Sequence, residues 1–144
     1  MTHALILDTS VVLKWFRREE ILANRALDLL HGYLEGRIQV FVPSLLGYEI
    51  ANVLRYKDEL TTAQIEMALQ SLFNLDLEWI VPTASMIRRA VVIARDYDTS
   101  VYDATFAATA EAVGAGFVTA DERLARCLAA LPYVAFLGAF EVPA

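Results

Sequence analysis

At 144 residues the chain reads as a single domain over 1–144, long enough to bury roughly two-thirds of its unfolded surface. Its net charge of -6 excludes a general nucleic-acid coat but not a nuclease, because a cluster of acids loaded with divalent cations becomes less negative. The hydrophobic fraction of 57% does not come from a membrane span, since the longest uncharged run, Cys127 to Phe140, is short and broken by Pro132 and Gly138.

The apolar excess instead suggests a well-filled core and some surface meant for a partner. No basic stretch precedes the first apolar residues, so no secretory signal is expected. One cysteine, Cys127, allows no internal disulfide and fits a reducing cytoplasm; among Leu124, Leu128 and Leu131 it reads as a small core filler.

Ala4 to Leu7 is a continuous apolar run ending at Asp8-Thr9-Ser10. A strand without alternation is buried on both faces, as in a parallel sheet covered by helices. Val11 to Phe16 follow as a short helix and Glu19 to Leu34 as a second, stopped by Gly36. Ile38 to Val42 form the next strand. Pro43 ends it, and Ser44 is placed to cap a helix to about Tyr56. In that helix Glu49 stands beside the apolar stripe Leu46, Ile50, Val53 and Leu54, where it needs a partner or a tilt toward solvent or Lys57.

Thr61-Thr62 open another helix, which makes a helical hairpin with the one before it, a docking arm for a partner. Glu78 to Val81 form a short strand, and Pro82-Thr83 open a helix from Ala84 to Tyr97 whose Arg88, Arg89 and Arg95 read as a solvated face. An alanine-rich helix from Val101 follows, thin enough to lie close against a sheet. Its Asp103 shares the apolar face of Phe106, Ala107 and Ala110. Gly114 closes it, Phe117-Val118 make a buried strand, and Asp121 sits just past that strand's end. A helix from Glu122 to Ala130 and a strand from Tyr133 to Phe136 complete the chain.

Crossover helices between buried strands, with no hairpin signal, predict a three-layer α/β/α sandwich around a parallel sheet of four to five strands. Four acids stand out: Asp8, Glu49, Asp103 and Asp121. The plain reading of the aspartates is helix capping. The chemical reading gathers all four in the crevice outside the strand ends, where like charges need a cation or protons to coexist. An all-oxygen site suits Mg²⁺ or Mn²⁺; His3 and His31 have no zinc-ligand spacing. Such a site serves phosphodiester hydrolysis.

Leu5-Ile6-Leu7-Asp8-Thr9-Ser10, Glu49 in its helix, Tyr102-Asp103-Ala104 and Thr119-Ala120-Asp121-Glu122-Arg123-Leu124 resemble, in order and spacing, the motifs of PIN-domain ribonucleases, and among them the VapC toxins of type II toxin–antitoxin pairs. The likeness spans nearly the whole chain, except that Asp58 to Ile93 carry no signature. It implies Asp8, Glu49, Asp103 and Asp121 as catalytic acids, the three aspartates holding Mg²⁺ or Mn²⁺. It also implies Ser10 and Thr119 as hydroxyls near the metal or the scissile phosphate. Cleavage of a specific RNA, a homodimer and neutralisation by a small antitoxin are further implications. Lys14, Arg17, Arg18 and Arg123 are candidate RNA contacts, though each reads first as ordinary surface charge.

Other readings compete. An RNA-processing PIN nuclease without an antitoxin shares the same acids, and a non-catalytic binding module would use them only as caps. A haloacid-dehalogenase-type site needs a second Asp where Ser10 stands. A response-regulator receiver needs an acid pair at the first strand and a late Lys that Phe136-Leu137-Gly138 does not supply.

Overall fold

The computed structural model describes residues 3–144. Five strands make one all-parallel sheet in the order β3-β2-β1-β4-β5, where β1 is His3–Leu7, β2 Ile38–Pro43, β3 Glu78–Ile80, β4 Gly116–Thr119 and β5 Val134–Phe136. Among the described residues seven α-helices flank it: α1 Thr9–Val12, α2 Ala23–Leu34, α3 Leu45–Arg55, α4 Thr62–Phe73, α5 Ala84–Asp96, α6 Val101–Val113 and α7 Glu122–Cys127. The fold is thus the expected α/β/α sandwich. The central strands β1 and β4 bury Leu5, Ile6, Leu7, Phe117 and Val118, which explains their unbroken apolar runs, while β2 buries Ile38, Val40 and Val42 and exposes Gln39.

The chain runs from β1 outward through β2 to β3, then crosses back to place β4 on the other side of β1. The connections therefore diverge between β1 and β4, and this switch point is where open α/β sheets leave a crevice at the strands' carboxyl ends. Asp8 follows the last residue of β1 directly, and Asp121 follows β4 by two residues.

Helix α6 packs against β1, β2 and β4, and every residue from Ala104 to Ala110 is buried. Its small side chains allow that close approach. Phe106 supplies the bulk, stacked on Phe117 of β4 with ring centroids 6.2 Å apart. At the helix end Gly114 takes φ +70°, letting the Ala115 N–H reach the carbonyl of Ala110 at 2.9 Å. Gly36, at φ +76°, closes α2 the same way.

Several local expectations are corrected. Helix α2 begins at Ala23 rather than Glu19, because Arg17 pairs with Glu19 at 2.7 Å, Lys14 pairs with Glu20 at 3.2 Å, and Leu22 turns left-handed at φ 69°. The short helix after Asp8 starts at Thr9 and tightens to a 3-10 turn over Leu13–Trp15. Ser44 does not cap α3. Its own backbone is helical, its side chain makes no capping bond, and its N–H donates to the Ile80 carbonyl at 2.7 Å, tying β2's end to β3. Thr61 and Thr83 do cap α4 and α5. Cys127 is only partly buried, so it is not the core filler expected.

Candidate active site

The four acids meet in one cleft of about 350 Å³, lined also by Thr9, Ser10, Leu13, Asn52, Val53 and Phe106. They come from four elements: Asp8 from the end of β1, Glu49 from α3, Asp103 from the first turn of α6, and Asp121 from the turn after β4. Capping and site membership turn out not to be alternatives. Asp8 accepts the Val11 N–H at 3.3 Å and Asp121 the Leu124 N–H at 3.0 Å, so each caps a helix while facing the cleft. Asp103 caps nothing. Ser100 caps α6 by accepting the Asp103 N–H at 3.0 Å, which leaves the Asp103 carboxylate for the cleft.

Asp8 is the most enclosed, 5% exposed. The Ser10 hydroxyl donates to one of its oxygens at 2.5 Å and the Thr119 hydroxyl to the other, also at 2.5 Å. The expected substrate hydroxyls thus hold Asp8. Both are braced from behind: the Ala120 N–H donates to Ser10 Oγ at 2.8 Å, and the Asp121 N–H donates to Thr119 Oγ1 at 3.1 Å. Adjacent strands β1 and β4 are stitched together at the cleft floor. Glu49 accepts the Thr9 hydroxyl at 2.6 Å rather than reaching Lys57. That bond, spanning 40 residues, has no sequence signal; nor does the lining by Asn52.

Burial pushes the Asp8 carboxyl up to about 6, against the hydroxyl donors that favour its charged form. Burial likewise raises Glu49, with the Asp103 charge adding to it. Asp103 is raised by burial first and by Asp121 second. Among the described residues no Lys or Arg forms an ion pair with any of the four. Of the expected RNA cations, Lys14 is engaged by Glu20, and Arg17 by Glu19 and Glu59.

Crowded oxygen donors with no ion pair among them, and with only the Arg123 charge acting on Asp103 from beyond ion-pair distance, suit a hard divalent cation. Among the described residues no three His, Cys, Asp or Glu stand close enough to cage an ion unaided. Any ion bound there would therefore be held through one or two carboxylates and retained waters rather than in a closed cage, a mode open to Mg²⁺ or Mn²⁺.

The family described as PIN domain matches residues 5–127. No curated protein matches the chain in sequence. Among solved structures, PAE2754 from Pyrobaculum aerophilum is 18% identical with a TM-score of 0.65, covering 96% of this chain and 93% of its own. A toxin–antitoxin complex from Klebsiella pneumoniae is 19% identical with a TM-score of 0.63, over 92% of this chain and 97% of its own. VapBC2 from Rickettsia felis, bound to a DNA fragment from its promoter, is 15% identical with a TM-score of 0.67, over 92% and 96%.

Proposed function

The chain belongs to the PIN-domain family, whose members are generally nucleases, and from that premise we propose that it is a Mg²⁺- or Mn²⁺-dependent endoribonuclease acting as the toxin of a toxin–antitoxin pair. The observation that carries the catalytic part is the convergence of Asp8, Glu49, Asp103 and Asp121 on one cleft, with none of them in an ion pair among the described residues. A divalent ion bound there would neutralise the scissile phosphate and lower the pKa of its water.

The chain's own groups divide the remaining work. Asp8, fixed at both oxygens by Ser10 and Thr119, would be the rigid anchor for the ion, and Asp103 and Asp121 would reach it through its retained waters. Glu49, raised by burial and held by Thr9, is suited to take a proton from the attacking water. Leu13, Val53 and Phe106 wall the cleft with apolar surface that limits bulk water.

The toxin part is supported by the toxin–antitoxin likenesses and by two apolar surfaces. A groove of about 540 Å³ between α3, α4 and β3, walled by Tyr48, Ala51, Leu69, Phe73 and Trp79, suits one amphipathic segment of an antitoxin. The exposed pair Ile87 and Val91, one turn apart on α5, suits a second copy of the chain. No helix among the described residues is long and apolar enough to cross a membrane. The toxin reading itself places the protein in the cytoplasm, where its RNA would be.

Incubating the protein and total RNA with Mn²⁺, with and without EDTA, tests the catalytic reading. Cleavage should require the metal and vanish in Asp8→Ala and Asp103→Ala; cleavage surviving in either variant rejects the assignment.

A further inference from the structure

Among the described residues one buried side-chain polar atom has no hydrogen-bond partner, Thr99 Oγ1 in the short link between α5 and α6. A buried hydroxyl left unpaired costs stability, so its presence there asks for a reason. The backbone around it is fixed from both sides. Asp98 turns left-handed at φ 53° just past α5, and the Thr99 N–H donates back to the Ala94 carbonyl at 3.0 Å, closing that helix. The next residue, Ser100, caps α6 by accepting the Asp103 N–H at 3.0 Å.

Side chains on a helix lean toward its amino end, so Asp103, in the first turn of α6, leans back over this link. Burial raises the Asp103 carboxyl, and the Thr99 hydroxyl is near enough to act against that, favouring the charged form. No hydrogen bond of ordinary geometry joins the two. Asp8 and Glu49 show what such a bond does: Asp8 is held by Ser10 and Thr119, and Glu49 by Thr9. Asp103 has its hydroxyl close by but not yet upon it.

We infer that Thr99 is a positioning residue for Asp103, its hydroxyl donating to that carboxylate when the cleft holds a divalent ion. The inference rests on the metal-dependent reading above and adds a residue to it. Without the ion the hydroxyl is an unpaired donor and a cost to the fold. With the ion it fixes the direction of a carboxylate, the part that groups behind a metal's ligands commonly play. One side chain should therefore count against stability in the free protein and toward affinity in the loaded one. A hydroxyl present only to fill space would do neither.

Melting the full chain in EDTA and across a Mn²⁺ titration tests this, with Thr99→Val removing the hydroxyl at nearly constant shape and Thr99→Ser keeping it. Thr99→Val should melt above wild type in EDTA, yet need about 10-fold more Mn²⁺ for the same rise in melting point. Thr99→Ser should match the wild-type Mn²⁺ requirement. In RNA cleavage Thr99→Val should show the same shift in Mn²⁺ requirement with KM for RNA unchanged. Combined with Asp103→Asn, it should add no further requirement, because the two groups act as one. A lower melting point of Thr99→Val in EDTA would mean that the hydroxyl is already paired, and an unchanged Mn²⁺ requirement that it never serves the ion. Either result overturns the inference and leaves the metal reading standing. A wild type whose melting point ignores Mn²⁺ would reject the metal reading and this inference with it.

Discussion

Helix α6 carries one carboxylate at each end, and the two have opposite fates. Asp103, in its first turn, lies half-buried in the acid cleft with its pKa raised. Glu111, in its last turn, is gripped by Arg89 through two bonds at 2.8 and 3.2 Å and accepts the Tyr133 hydroxyl, and its pKa is lowered. The helix dipole alone predicts the reverse, since it favours negative charge at the amino end and disfavours it at the carboxyl end. Local pairing outranks the dipole here. Glu111 has a guanidinium and a phenol; Asp103 has burial and a neighbouring acid. One end fastens α5, α6 and the approach to β5 together, while the other is left wanting a cation.

Substitution at the two ends should separate them most sharply in activity. Asp103→Asn should lower Mn²⁺-dependent RNA cleavage at least ~100-fold, and Glu111→Gln should leave it near wild type. Comparable losses in both would erase the distinction.

The acid cleft and the Glu111 pair also predict opposite pH dependence. Asp8, at about 6 in the fold against 3.8 ordinarily, keeps its proton where the unfolded chain has released it. In EDTA this favours the fold at low pH, and stability falls by up to about 3 kcal/mol as pH rises from about 4 to about 6. Glu111, with its lowered value, stabilises above its unfolded pKa, and that contribution is lost as pH falls through its folded one. Urea melts across this range should show a slope that flattens in Asp8→Asn. Saturating Mn²⁺ should offset the loss, by about 2.7 kcal/mol at 100 times its Kd. A rising slope in EDTA, or no response to Mn²⁺, would contradict an uncompensated acid cleft.

A smaller effect should come from the floor of the cleft. Thr119→Val removes one of Asp8's two hydroxyl donors with little change in shape, and should cost about 10-fold in cleavage or apparent Mn²⁺ affinity. Smallest is Glu111→Gln measured as stability. Its pair with Arg89 is partly exposed, the side chains 27% and 41% accessible, so the expected loss is about 1 kcal/mol, read as a melting point lower by a few degrees.

Much of the architecture was legible because burial leaves a pattern in the chain. Leu5 to Leu7 and Phe117-Val118 show no alternation because both faces of β1 and β4 are covered, and the acids after them mark where the cover stops. Thr61 and Thr83 announce α4 and α5 through local side-chain bonds that any isolated segment could form. What stayed hidden depends on distant partners. Arg89 looked solvated because its partner lies 22 residues away on another helix. Ser44 has a capping residue's identity, but β3 claims its backbone and its side chain goes unused as a cap. The four acids could be picked out one by one. The hydroxyls that orient them, Thr9 on Glu49 and Thr119 on Asp8, needed the folded chain to bring them together.

Helix α6 is small around its one bulky contact, Phe106, with Ala104, Ala107, Ala108 and Ala110 all at 2% exposure or less. Its height above β1 and β4, and with it the reach of Asp103, is therefore set by the thickness of a hydrocarbon spacer rather than by any polar contact. Each added methylene would act as a shim, lifting the carboxylate away from Asp8 while leaving every acid in the sequence intact. Residues that line no part of the cleft thus become the coarse adjustment of its acids.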